Sequence, residues 1–175
     1  VTMREDVAGQ MALYRGERVF STASLKMGRG NSGKLVTSVK LAMLKAAPDT
    51  ELAIIDGSPG IGCPVIASMS GMDLILIVAE PSVSGISDLE RLVDTAESFQ
   101  IPIAVCVNKW NTNPDKTKEI QEYCVKRGIS FVGKIPYDKA VPAAVNAGKS
   151  VALADCQARA ALLQIYEAVR NKLNI

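Results

Sequence analysis

A chain of 175 residues fits one domain of ordinary size and is long enough to bury a core without disulfide or metal staples. Its 20 Lys and Arg against 18 Asp and Glu create no global field, which argues against a surface built for nucleic acid, a membrane or an acidic substrate. Histidine is absent, and with it the commonest general base and metal ligand, so triad and zinc hydrolases are disfavoured.

The chain opens on Val1 rather than Met, which is read as a start downstream of some further segment. Val1 to Phe20 mixes charged and apolar residues and is expected to form a helical turn, followed by a strand near Arg18 to Leu25. A helix is predicted from Ser32 to about Ala47. The apolar run Leu52-Ala53-Ile54-Ile55-Asp56 then reads as a buried strand that leaves through a Gly57-Ser58-Pro59-Gly60 turn. Three more buried strands are expected at Leu74–Ala79, Ile103–Val107 and Phe131–Ile135. Between and after them lie segments of helical length at Ile61–Met69, Gly85–Phe99, Asp115–Arg127, Lys139–Asn146 and Asp155–Leu173. Ser84 and Pro114-Asp115 supply helix starts. Strand alternating with helix predicts a three-layer α/β/α fold with a mostly parallel sheet.

No linker or repeat divides the chain, no stretch reaches the roughly 20 apolar residues of a membrane span, and no leader opens it, so a cytoplasmic address is expected. The four cysteines show no C-x-x-C spacing and read as reduced thiols. Cys63, in Gly62-Cys63-Pro64 near a helix start where a thiolate would be stabilised, is read as a structural thiol, since no second cysteine pairs with it as an iron–sulfur role would need.

In wound sheets ligands bind at the carboxyl ends of the strands. After the Leu52 strand comes Asp56-Gly57-Ser58-Pro59-Gly60-Ile61-Gly62. An acid at the tip of a buried strand is costly without a partner, and a hydrated Mg²⁺ is a partner of the right charge; Asp56 is therefore the candidate catalytic and second-shell metal residue. Gly57, Pro59 and Gly60 would bring backbone amides close to a phosphate and move when it leaves. A plain turn capped by Asp56 is the competing reading. After the third strand stands Asn108-Lys109-Trp110-Asn111, like the N-K-x-D of guanine readers but with an amide at its last position, which suits adenine's mixed donor and acceptor edge better. After the fourth comes Pro136-Tyr137-Asp138, a rigid turn suited to flank a base by apolar contact and backbone groups.

Taken in order, Ile-Ile-Asp56-Gly-Ser-Pro-Gly-Ile-Gly, Val-Ala-Glu80-Pro81-Ser-Val-Ser-Gly-Ile-Ser-Asp-Leu, Val-Asn108-Lys109, Ile-Pro136-Tyr-Asp138 and Asn146-Ala-Gly148-Lys-Ser-Val resemble the MinD/ParA-type P-loop ATPases over roughly residues 30 to 170. Within that group the chain is most similar to MinD-like proteins whose ATPase domain carries an inserted ferredoxin module, on the strength of Asn-Ser-Gly-Lys-Leu-Val and Pro-Gly-Ile-Gly-Cys-Pro-Val. The resemblance implies a P-loop NTPase-like fold that is incomplete here. Residues 1–30 would follow a missing N-terminal part, and 31–175 would be the C-terminal part of the nucleotide-binding domain. It further implies ATP and Mg²⁺ as ligands and an iron–sulfur cluster only in an upstream insert. A homodimer sandwiching ATP and a redox or iron–sulfur partner are also implied.

Gly28-Arg29-Gly30-Asn31-Ser32-Gly33-Lys34 satisfies G-x-x-x-x-G-K, yet Leu35 stands where a hydroxyl should meet Mg²⁺ and polar residues interrupt the preceding segment. A solvated helix start is the preferred reading, with Lys34 kept as a candidate nucleotide contact. Without a phosphate cradle the chain is not expected to hydrolyse ATP unaided. A non-catalytic interaction module and a GTPase using the Gly28–Lys34 loop remain as alternatives.

Overall fold

The computed structural model describes residues 7–26, 28 and 30–175. The chain forms two compact units that meet at the Gly71/Met72 bond, within what the sequence reads as one domain.

In the first unit, β1 (Gly9–Arg15) pairs antiparallel with β2 (Val19–Leu25), Gly9 opposite Leu25 and Arg15 opposite Val19. A strand therefore occupies part of the stretch expected to hold a helical turn; residues 1–6 of that stretch lie outside the described residues. Short-period alternation at Met11 and Leu13 finds its ladder partner across the Gly16-Glu17-Arg18 connection, and a paired strand outcompetes an isolated helical turn. Near the connection Tyr14 and Phe20 face each other and stack, 6.0 Å between ring centroids.

Helix α1 (Ser32–Ala46) packs on the hairpin, and the Ser21 hydroxyl donates to the Val39 carbonyl at 2.9 Å. Beside it lies the short α2 (Cys63–Met69), started by Pro64. Lys40 is buried between the helices, and its ammonium donates to the carbonyls of Ala67 (3.0 Å), Ser68 (3.3 Å) and Ser70 (2.5 Å). Those are the orphan acceptors at the end of α2, where a cation also meets the negative pole of the helix. Burial lowers the pKa of Lys40 below the ordinary lysine range.

Leu52–Asp56 departs from expectation. It is not a strand, and Ile54 is 75% exposed. A β-rich run becomes a buried strand only where neighbours accept its amides and carbonyls, and no ladder forms on this run among the described residues.

The second unit holds the parallel sheet. Strands β3 (Ile75–Ala79), β4 (Ile103–Asn108) and β5 (Ser130–Ile135) lie in the order β3-β4-β5, with a register shift between Val105 and Cys106 on the β5 side. Helices α3 (Val83–Ser98), α4 (Pro114–Arg127), α5 (Ala140–Asn146) and α6 (Gln157–Leu173) connect and follow them. Cys106 and Ile135 pack with Ala158 and Ile165 of α6 on one face. On β3 the residues Ile75, Ile77 and Ala79 are buried, and the pairing of Ile77 with Val105 and Ala79 with Val107 puts them on the opposite face, toward α3 and α4. The result is a three-layer α/β/α arrangement. Gly133 marks the close approach of α6: a Cβ there would lie 2.7 Å from Ile165 Cγ1, and its φ of 150° suits glycine.

The expected strands and helices of this unit agree with the observed ones to within two residues. Two features differ: α3 is capped by Ser82, and Ser84, expected to start it, lies inside the helix; and one strand is barer than expected. The Leu74–Ala79 run was expected to be covered on both faces, yet Leu76 is 38% and Val78 is 54% exposed. β3 is an edge strand like β5, but α6 packs over β5 rather than over β3. Among the described residues no helix is long and apolar enough to cross a membrane.

Candidate functional site

The carboxyl ends of the three parallel strands carry the candidate residues of the second unit. β3 ends in Ala79, followed by Glu80 and Pro81; the Ser82 hydroxyl then caps α3 by accepting from Gly85 N–H at 3.0 Å. Gly85 is obligatory here, because a Cβ would stand 2.2 Å from the Glu80 carbonyl oxygen. β4 ends in Asn108, half-buried and opposite Ile135 in the ladder to β5.

Lys109 turns the chain with a left-handed φ of 54°, and its ammonium reaches Glu80 Oε1 at 2.6 Å, bridging the ends of β3 and β4. The Lys109 carbonyl accepts from both the amide (3.0 Å) and the hydroxyl (2.8 Å) of Thr112, which closes the 3₁₀ turn Trp110–Thr112. Trp110 lies under the Lys134 ammonium, 4.2 Å from ring centroid to nitrogen. Asn113 caps α4 by accepting from Lys116 N–H at 3.1 Å, and Pro114 opens the helix.

Beyond β5, Pro136-Tyr137-Asp138 runs alongside this turn. The Tyr137 amide donates to Asn111 Oδ1 at 2.6 Å, and Asn111 Nδ2 donates to the Tyr137 carbonyl at 3.5 Å. Asn111 was singled out in the sequence for the adenine-like edge of its amide; both halves of that amide are instead engaged by the next loop. The Asp138 carboxylate is engaged as well. Oδ1 accepts from Ala140 N–H (2.9 Å), and Oδ2 accepts from Gln157 N–H (3.1 Å) and Ala158 N–H (3.5 Å) at the start of α6. The structure thus brings Asn108, Lys109, Pro136 and Asp138 to one rim. Sequence reasoning missed the Glu80 partner of Lys109 and the Asn111 to Tyr137 link, since pairs 29 and 26 residues apart leave no local signal.

The candidates of the first unit occupy its own loops. Asp56, Gly57, Pro59 and Gly60 are all exposed, and Gly60 has a left-handed φ of 89°. The desolvation cost that drew attention to Asp56 therefore does not arise; its carboxylate stands in solvent without a hydrogen bond or ion pair among the described residues. Lys34 is exposed in the first turn of α1, whose N-cap Asn31 is left-handed and makes no side-chain cap. Arg29 of the Gly28–Lys34 motif lies outside the described residues. The strand ahead of that motif, β2, is paired antiparallel in a hairpin, whereas a phosphate loop follows a buried parallel strand. Gly33 abuts α2, where a Cβ would meet the Cys63 carbonyl oxygen at 3.1 Å.

All four cysteines are free thiols: Cys106 and Cys124 buried, Cys156 half-buried, Cys63 exposed. Burial pushes the Cys106 and Cys124 thiols up to about 11.

Comparison with known proteins gives a consistent neighbourhood. The model of the CobQ/CobB/MinD/ParA nucleotide binding domain matches residues 24–151. An uncharacterized protein of Methanocaldococcus jannaschii is 28% identical over 148 residues, 83% of this chain and 49% of the relative. This chain therefore spans about half the length of the relatives it matches. Among solved structures, the MinD cell division protein of Aquifex aeolicus superposes with a TM-score of 0.65 at 20% identity, over 79% of this chain and 61% of that one. The cell division ATPase MinD of Pyrococcus furiosus superposes at 0.64 and 16% identity, over 81% and 59%. At these identities the likeness is one of fold: the α/β fold is MinD-like.

Proposed function

The chain belongs to the CobQ/CobB/MinD/ParA nucleotide-binding domain family, and we propose that residues 31–175 are the base-side and C-terminal part of a cytoplasmic ATP-hydrolysing domain of MinD type. In this reading the phosphate loop lies in an upstream segment and these residues do not hydrolyse ATP unaided. Asn108 reads adenine from the end of β4, with Lys109 held beside it by Glu80. Pro136 and the backbone of the loop anchored by Asp138 flank the base. Asp56 with Gly57, Pro59 and Gly60 forms the switch segment, and Lys34 is a further phosphate contact.

The observation that carries the reading is the interlocked pair of loops after β4 and β5, tied through Asn111 and Tyr137 at the strand ends where wound sheets bind ligands.

A magnesium ion fits what Asp56 offers only in one manner. Among the described residues no group of three or more His, Cys, Asp or Glu is arranged to hold a metal. One free, exposed carboxylate suits an ion that keeps its waters and takes its remaining ligands from nucleotide phosphates. When bound, such an ion neutralises charge on the phosphates during transfer.

By the same family resemblance we place a ferredoxin insert with its iron–sulfur cluster upstream, a homodimer as the working assembly, and a redox or iron–sulfur protein as the partner that hydrolysis engages. Joining the chain to an upstream Walker A segment should give magnesium-dependent ATP turnover that Asp56→Ala abolishes. A joined protein that stays inert would reduce the chain to a non-catalytic interaction module. Clear preference for GTP would transfer the assignment to a GTPase built on Gly28–Lys34.

A further inference from the structure

The last position of the Asn108-Lys109-Trp110-Asn111 turn is where a guanine reader places a carboxylate with two open oxygens, one for each donor on the base edge. Two side chains at this rim are candidates for such contact with a base, Asn111 and Asp138. Neither is open. Asn111 spends its oxygen on the Tyr137 amide at 2.6 Å and its nitrogen on the Tyr137 carbonyl at 3.5 Å. Asp138 accepts from three backbone amides, one opening α5 and two opening α6.

These bonds share a geometry. Tyr137 lies between them in sequence, tied on one side to the β4 turn by Asn111 and on the other to α5 and α6 by Asp138. Pro136, whose ring fixes φ and which has no amide of its own to satisfy, leads into a segment fastened at its middle residue and at its last. The β4 turn is itself anchored, because the Thr117 hydroxyl donates to the Trp110 carbonyl at 2.9 Å and Lys109 is paired with Glu80.

We infer that Asn111 and Asp138 are positioning residues that strap the Pro136–Asp138 loop in place, and that neither reads the base. This rests on the adenine-nucleotide reading above. Purine selection then falls to Asn108 and to the backbone of the strapped loop, and the chain rejects guanine by lacking an open carboxylate. An amide at position 111 is a fastening and not a coded adenine signal. Asn111→Asp restores the N-K-x-D letters of a guanine reader, yet one of its oxygens would be held by the Tyr137 amide and the other would face the Tyr137 carbonyl, so it does not present two open oxygens to a base.

The test compares Asn111→Ala and Asn111→Asp in the full-length protein by two readouts. Hydrogen exchange at the Tyr137 amide reports the strap without any nucleotide: Asn111→Ala should speed it at least tenfold, and Asn111→Asp, which keeps the acceptor, should restore most of the protection. ATP and GTP titrations, followed through the emission of Trp110, the single tryptophan of the chain and next to Asn111, report selection. Asn111→Ala should weaken ATP about tenfold, Asn111→Asp should recover most of that loss, and neither should gain affinity for GTP. A swing of tenfold or more toward GTP in Asn111→Asp, or unchanged Tyr137 exchange in Asn111→Ala, overturns the inference. Exchange behaving as expected while no variant and no wild-type protein binds either nucleotide supports the strap and sinks the nucleotide reading instead.

Discussion

Ile103–Asn108 and Leu52–Asp56 are apolar runs of similar make-up with opposite fates. The first is hydrogen-bonded to a strand on each side, and Ala104, Val105 and Val107 are fully buried. The second has no ladder, and its Ile54 is 75% exposed. β-Branched residues fit a pleated surface, but whether that surface exists depends on the strands alongside. β3 stands between the two cases, paired on one edge, buried on one face, with Val78 open on the other.

This contrast is sharpest in a large-to-small substitution. Ile120, fully buried on α4, should cost about 2–5 kcal/mol when changed to Ala, whereas Ile54→Ala should stay within about 0.5 kcal/mol. Urea unfolding of the two variants makes the comparison. Equal losses would mean that the Leu52 run is buried in solution.

Alkaline titration probes the buried side of the contrast next. With both thiols raised to about 11 from 9.0, the folded chain keeps protons that the unfolded chain releases. Stability from this source is complete below pH 9 and is lost as pH rises toward 11, up to about 2–3 kcal/mol per thiol. Cys106→Ala and Cys124→Ala should each flatten that decline in a pH series of unfolding midpoints, and an unchanged slope would contradict the burial.

In the first unit a polar fastening joins the two helices. Lys40→Met leaves the carbonyls of Ala67, Ser68 and Ser70 without their donor and should cost about 1–3 kcal/mol, read as faster hydrogen exchange in α2. At the small end, Ser82→Ala removes the α3 cap and should cost about 1 kcal/mol, measurable as a lowered thermal midpoint.

What the sequence made legible follows the same division. Strands and helices of the second unit announce themselves through continuous β-branched runs and Pro114-Asp115, and these local signals act on local structure, although the cap of α3 is Ser82 and not the Ser84 that the sequence offers. β1 was not read because its alternation at Met11 and Leu13 is short, and only pairing with β2 makes it a strand. The positions of Asn108, Lys109 and Pro136 at strand ends were legible from order alone. The uses of Asn111 and Asp138 were not, because a side chain's hydrogen-bonding capacity is written in its type while its partner is set by the fold.

The rim formed by the β4 and β5 loops is the proposed adenine side of a nucleotide site. Calorimetric titration of the full-length protein with magnesium and ATP, wild type against Asn108→Ala, addresses it directly. Asn108→Ala should weaken ATP by tenfold or more while leaving the unfolding midpoint within a few degrees. ATP binding indifferent to Asn108, or GTP bound more tightly than ATP by the wild-type protein, would contradict it.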